Sequence, residues 1–231
     1  LLIGLFAGTL HATPVNILMI TVDDMSADSI GAFGAKLLAT TPNIDRLAKQ
    51  SLRFVHAHMT VGNCMPGRNV MFSGLISHNN KVEGFYQVKN PGWPHMVDLM
   101  KNAGYFTGIR GKVSHSTPYQ PYAWDANLDT LPDGSKGHYK DAESFGISTT
   151  DGIQKAKAAG KPFCLVVNVS DPHKPFWSKV KGGGEDPHVP SRIFKADELP
   201  LSLIHISEPT RRYDISYGVL SLKKNRGGGG G

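Results

Sequence analysis

Apolar and polar residues alternate along the chain in blocks that predict strands separated by helices. Residues 16–24 and 163–169 are short, β-branched apolar runs, which indicate buried strands, and residues 53–58 form a shorter strand candidate. Apolar residues recur at helical spacing in residues 41–48, 93–101 and 142–159. This order predicts an α/β fold with a mixed or parallel central sheet flanked by helices.

The predicted helices have recognisable ends. The first begins at Thr41-Pro42, and its apolar positions lie on one face, namely Ile44, Leu47, Ala48 and Leu52. Gly104 is suited to end the second predicted helix, at residues 93–101. Residues 119–137 are rich in Pro, Asp and Gly, so we expect a long loop that forms one wall of a cleft.

Two acidic residues end the first predicted strand. The carboxylates of Asp23 and Asp24 repel each other unless a cation lies between them. Hard oxygen ligands favour calcium or magnesium, so the pair is a candidate metal site. The commoner alternative is a surface turn in which both acids face water.

The segment Cys64-Met65-Pro66-Gly67-Arg68 has the spacing C-x-P-x-R. Taken alone, it is equally consistent with a free cysteine in a Pro-Gly turn. The other cysteine, Cys164, lies in an apolar strand and is expected to be inert core. The two cysteines do not resemble a disulfide framework.

The net charge of the chain excludes few classes of function. The chain carries +6, and residues 201–231 supply five Lys/Arg against two acidic residues, so the remainder carries only about +3. No run of basic and aromatic residues suggests a nucleic-acid platform, and we expect no nucleic-acid partner.

Five segments in order resemble the N-terminal half of the sulfatase family, whose fold is like that of alkaline phosphatase. The resemblance runs from about residue 16 to residue 200. It rests on V-D-D at 22–24, T-P-N-I-D-R-L-A at 41–48, C-M-P-G-R at 64–68, G-Y-x-T with G-K-x-x-H at 104–115, and D-P-H-K-P-F at 171–176. The G-K-V-x-H segment is most similar to the iduronate-sulfatase-like branch. The fold is therefore expected to be alkaline-phosphatase-like and incomplete at the C-terminus.

The resemblance implies a nucleophile and a metal site. Cys64 would be oxidised to formylglycine by a formylglycine-generating enzyme, and the aldehyde hydrate would attack sulfur. Asp23, Asp24 and the modified Cys64 would bind a divalent metal, Ca²⁺ in the first place and Mg²⁺ as the alternative.

The same resemblance implies an anion site. Arg68 would hold the formylglycine hydrate, and Lys112 and His115 would lie beside the sulfate and the nucleophile. His173 would contact the sulfate or help proton transfer to the leaving oxygen. Several cationic donors suit a transition state in which charge builds up on a dispersed anion. Taken singly, each has a plainer interpretation: a solvated lysine, or a histidine satisfied by backbone.

The implied function is hydrolysis of sulfate esters, with a sulfated carbohydrate as the expected substrate. The alternatives are a phosphate or phosphonate ester hydrolase of the same superfamily, or a catalytically inert fragment. Further metal ligands of the family lie downstream of the matching region, so the 231-residue chain is itself expected to be inactive.

These resemblances divide the chain into three expected regions. Residues 1–12 resemble a partial signal peptide, which predicts a periplasmic or secreted protein. They are fewer than the roughly 20 apolar residues that span a bilayer, so no stable membrane span is expected. Residues 13–200 correspond to the N-terminal part of a sulfatase catalytic domain. Residues 201–231 resemble a translated sequencing adapter that ends in glycines, and they are expected to have no fold of their own.

Overall fold

The structure is a computed structural model that describes residues 14–37 and 39–175 of the 231-residue chain. The partial signal peptide predicted at residues 1–12, the end of the catalytic region and the adapter-like tail at residues 201–231 lie outside the described residues. The described residues divide into two units. The first contains residues 14–21, 61–138 and 142–168, and the second contains residues 22–37, 39–60, 139–141 and 169–175.

A four-stranded sheet forms the framework, with strand order β1-β4-β2-β3. The strands are β1 (Ile17–Asp23), β2 (Phe106–Arg110), β3 (Ala126–Asn127) and β4 (Phe163–Pro172). The central strand β2 pairs in parallel with both β3 and β4. The apolar run of β4 fits a strand whose two faces are both covered. The predicted α/β fold with a mixed or parallel central sheet is confirmed.

Five α-helices are present in the described ranges: α1 (Pro42–Ala48), α2 (Cys64–Ser73), α3 (Ser77–Asn80), α4 (Met96–Asn102) and α5 (Ala142–Ala158). Short 3-10 helices lie at Ala27–Ser29, Gly31–Phe33 and Val113–His115. None of the helices in these ranges has the length and apolarity needed to cross a bilayer.

The first unit has helices on both faces of its sheet. Ile109 and Val166 form a core with Phe72 from α2, and four partly buried side chains pack against it: Met19, Met96, Val113 and Trp124. Leu165 points to the other face, because neighbouring side chains of a strand alternate. There α5 approaches closely through Gly152, where a Cβ atom would come within 3.0 Å of the Leu165 side chain.

The second unit differs from the sequence expectation in two places. Residues 53–58 form no strand, because Arg53 instead stacks over Phe33 and donates to the Ala32 carbonyl, which fixes this segment against a 3-10 helix. The apolar face predicted for the helix at residues 41–48 is not buried: Leu47 is 65% exposed, and Leu52, at 90%, lies beyond the end of α1.

Candidate active site

Cys64 is the first residue of α2, not part of a loop or a Pro-Gly turn. The preceding Asn63 caps the helix, since its side chain accepts a 3.0 Å hydrogen bond from the Cys64 N–H. Pro66 is tolerated in this first turn because the first four N–H groups of a helix have no partner within it. The half-buried Cys64 therefore lies at the positive end of a ten-residue helix, a position that favours negative charge.

Arg68 is one turn further along α2, on the same side of the helix as Cys64. Its guanidinium is buried, with 6% of the residue exposed. Nη1 donates to Thr21 Oγ1 at 3.0 Å and to Asn168 Oδ1 at 2.5 Å. The Thr21 hydroxyl in turn donates to Asn168 Oδ1 at 2.6 Å. Two polar residues of β1 and β4 thus fix the arginine of the C-x-P-x-R segment.

Lys112 and His115 follow β2 directly. Gly111 and Lys112 both have left-handed backbone conformations, with φ of 71° and 48°, and this turn leads into the 3-10 helix Val113–His115. The His115 N–H donates to the Lys112 carbonyl at 3.0 Å. The fully buried Asn69 of α2 donates to the His115 carbonyl at 3.1 Å. The helix that carries Cys64 is therefore tied directly to the segment that carries His115.

In the second unit, His173 lies beside the two acidic residues. Its Nε2 is 4.0 Å from Asp23 Oδ2 and 3.7 Å from Asp24 Oδ2. Nδ1 donates to the Lys174 carbonyl at 2.5 Å, so Nε2 is the ring nitrogen that faces the carboxylates. Two carboxylates and an imidazole lone pair are a donor set that suits a divalent cation. The alternative interpretation, a surface turn in which both acids face water, does not fit Asp23, which is 4% exposed.

Lys140 holds the loop that carries His173. Its buried ammonium donates to the His173 carbonyl at 2.7 Å and to the Pro175 carbonyl at 2.6 Å, and it pairs with Asp171 at 2.9 Å. The three hydrogens of an ammonium thus have three acceptors on one short segment.

Three residues that hold the predicted site residues in place were not predicted from the sequence: Thr21, Asn168 and Lys140. Asn168 had a usable signal, because a polar amide in the middle of an apolar strand must find partners when it is buried. Cys164, in the same strand, is buried, and burial raises the pKa of its thiol, as expected for inert core.

The first unit of this α/β protein thus has a buried arginine one turn from Cys64 at the N-terminus of α2. The second unit has two adjacent carboxylates beside a histidine. The Sulfatase family model matches residues 15–185. The chain belongs to the sulfatase family, as its motifs predicted.

Individual sulfatases are also similar to the chain in sequence. The chain is 30% identical over 202 residues to iduronate 2-sulfatase of Homo sapiens, covering 70% of this chain and 36% of that protein. It is 28% identical over 159 residues to the ulvan-active sulfatase of Formosa agariphila, covering 68% and 30%. It is 30% identical over 122 residues to arylsulfatase G of Canis lupus familiaris, covering 50% and 23%. The chain thus spans well under half the length of these relatives.

Solved structures show the fold. A protein in complex with its substrate D-glucosamine-2-N,6-O-disulfate aligns with a TM-score of 0.56 and 24% identity, over 70% of this chain and 35% of that one. The phosphonate monoester hydrolase of Agrobacterium radiobacter aligns with a TM-score of 0.51 and 17% identity, over 70% and 42%. These likenesses confirm the predicted fold class.

Proposed function

We propose that the whole protein hydrolyses sulfate esters with a formylglycine made from Cys64. The observation that carries the proposal is the C-x-P-x-R segment at the start of α2, with Arg68 fixed one turn from Cys64 by Thr21 and Asn168. The membership of the chain in the sulfatase family supports the same function. In the modified protein, one hydroxyl of the aldehyde hydrate would attack sulfur, and the other would expel sulfate and regenerate the aldehyde.

The metal belongs to the same proposal. Asp23, Asp24 and the modified Cys64 would hold one divalent cation, with Ca²⁺ favoured and Mg²⁺ the alternative. The donor set at Asp23, Asp24 and His173 supports this site. When bound, the cation would supply electrostatic stabilisation of the sulfate oxygens.

The other four residues predicted for the site would have separate roles at the substrate anion. Arg68 would orient the hydrate, and Lys112 would stabilise negative charge on the sulfate. His115 would lie beside the nucleophile. His173 would contact the sulfate or pass a proton to the oxygen of the departing alcohol. Their support is local: the Gly111–Lys112 turn and the Lys140 contacts fix the backbone that presents these side chains.

A sulfated carbohydrate is the proposed substrate. The support is the sulfated glucosamine that is the substrate of one structural neighbour, together with the similarity to an ulvan-active sulfatase and to iduronate 2-sulfatase. A formylglycine-generating enzyme is the proposed partner. We also propose a periplasmic or secreted location, on the resemblance of residues 1–12 to part of a signal peptide.

The test uses the full-length protein co-expressed with a formylglycine-generating enzyme and supplied with Ca²⁺. We expect release of inorganic sulfate from an aryl sulfate and from a sulfated glucosamine, and no release from the Cys64→Ala variant. Equal turnover by wild type and Cys64→Ala would contradict the proposal.

One observation favours a second candidate, a phosphonate ester hydrolase: the fold likeness to the Agrobacterium radiobacter enzyme. The same protein is therefore assayed with a matched aryl phosphonate. A higher kcat/KM on the phosphonate than on the aryl sulfate would replace the first candidate by the second.

A further inference from the structure

We propose that Asn168 is a positioning residue that holds Arg68 and the Gly111–Lys112 turn in one fixed arrangement. The proposal rests on the proposed function in one respect: it takes Arg68 and Lys112 as groups that act on the substrate anion. Asn168 belongs to none of the sequence motifs. It lies in the apolar run of β4 and is fully buried.

The carbonyl oxygen of the Asn168 side chain fixes the guanidinium. Oδ1 accepts from Arg68 Nη1 at 2.5 Å and from the Thr21 hydroxyl at 2.6 Å, and Nη1 also donates to Thr21 Oγ1 at 3.0 Å. The two hydrogens of a guanidinium nitrogen lie in the plane of the group, so two acceptors at one nitrogen fix that plane. Both lone pairs of Oδ1 are used in the process.

The amide nitrogen of the same side chain fixes the turn after β2. Nδ2 donates to the Gly111 carbonyl at 2.8 Å. Gly111 has φ of 71°, and a Cβ atom there would lie 2.4 Å from the Asn168 backbone oxygen. The backbone of Gly111 therefore lies directly against the backbone of Asn168 in β4, and the Asn168 side chain holds the turn there by a hydrogen bond. Lys112 is the next residue, so its Cα position depends on this contact.

Only an amide satisfies both sides. Rotating the amide by 180° would point its NH₂ at the donors of Arg68 and Thr21 and its oxygen at the Gly111 carbonyl, so the partners determine the orientation. A carboxylate would have no hydrogen for Gly111. It would also form a charged pair with the buried guanidinium and compete with an anionic substrate for Arg68. The neutral amide orients Arg68 without placing a negative charge beside the guanidinium.

Asn80 provides a matched control in the same unit. It is also fully buried, accepts from the Val82 N–H at 2.8 Å and donates to the Leu75 carbonyl at 3.1 Å. It therefore makes the same kind of two-sided amide contact, but with none of the proposed catalytic residues. Asn80→Asp and Asn168→Asp introduce the same chemical change at two buried amides.

The first readout does not depend on activity. Side-chain ¹⁵N–¹H spectra of the full chain report slow rotation of a restrained guanidinium, and Arg68→Lys assigns the signal. We expect Asn168→Ala to lose the restrained Arg68 signal and Asn80→Ala to keep it. Asn168→Asp has the same shape and covers the case in which Asn168→Ala does not fold: it should shift the backbone amide signals of Gly111 and Lys112. Unchanged Arg68 signals in Asn168→Ala, or unchanged Gly111 and Lys112 signals in Asn168→Asp, would overturn the proposal.

The second readout is affinity for inorganic sulfate, measured by titration calorimetry on the Ca²⁺-supplied protein. We expect Asn168→Asp to weaken sulfate binding about tenfold or more, because its carboxylate competes for Arg68. Asn80→Asp should bind sulfate as the wild type does, whatever its stability. Wild-type affinity in Asn168→Asp would overturn the proposed charge argument. A wild type that binds no sulfate would contradict the proposed function, and the spectra alone would then decide the positioning role.

Discussion

Acidification should weaken the fold through His95, which is fully buried and caps α4. Burial lowers the pKa of His95 from 6.5 to about 4, although its hydrogen bond to the Ser116 backbone and the charge of Asp98 act in the opposite direction. Nδ1 accepts from the Val97 N–H at 3.1 Å, so the ring carries its proton on Nε2, which donates to the Ser116 carbonyl at 2.9 Å. Adding a proton to Nδ1 would break the capping bond.

The magnitude follows from the two pKa values. An unfolded His95 takes up its second ring proton near pH 6.5, and the folded residue does so only near pH 4. The unfolded state therefore binds more protons between these values, and the free energy of unfolding rises with pH in that window. The full contribution is present above pH 6.5 and is lost as the pH falls to 4; it amounts to about 3 kcal/mol, of which about 2 kcal/mol is lost at pH 5.

Urea unfolding at pH 7 and pH 5 measures the effect in the wild type and in His95→Asn. Asparagine can accept the capping bond but does not titrate, so the variant accounts for all other groups. Between pH 7 and pH 5 the wild type should lose about 2 kcal/mol more than the variant. Equal losses in the two proteins would refute the reasoning.

Three further predictions concern the site. Gly111→Ala places a Cβ atom 2.4 Å from the Asn168 oxygen at φ of 71° and should cost about 1–3 kcal/mol of unfolding free energy; a urea midpoint equal to that of the wild type would contradict this. Lys140→Met leaves three acceptors on the His173 loop without their donor and should cost about 1–3 kcal/mol; unchanged stability together with unchanged His173 chemical shifts would count against it. Asp23→Ala should weaken Ca²⁺ binding in calorimetry more than Asp23→Asn does, because the amide keeps an oxygen ligand; equal affinity in both variants and the wild type would exclude Asp23 as a ligand.

The sequence predicted β1 and β4 because both are apolar runs, although of the two only β4 is largely buried, and it did not predict β2 or β3. The strands at residues 16–24 and 163–169 and the helix at residues 142–159 were found from apolar patterning alone, and the structure has β1, β4 and α5 there. The strand expected at residues 53–58 was wrong, because alternation in a short segment does not show whether another strand lies beside it.

The candidate site was predicted as a set of motifs, and the structure adds what holds each motif in place. Local sequence did not show that Cys64 begins a helix, since Pro66 and Gly67 are equally typical of a turn and the Asn63 cap decides between them. Asn168 and Lys140 were not found, because their partners lie up to 147 residues away for the first and 35 for the second. Pairings at such separations depend on the strand order, which no single segment encodes.

The central claim is that Cys64 becomes the formylglycine of a sulfatase. Peptide mass spectrometry of position 64, in the full-length protein co-expressed with a formylglycine-generating enzyme, tests it directly. The account predicts an aldehyde in place of the thiol, in the same preparation that releases sulfate from an aryl sulfate. An unmodified thiol at position 64 in a preparation that releases sulfate at full rate would contradict it.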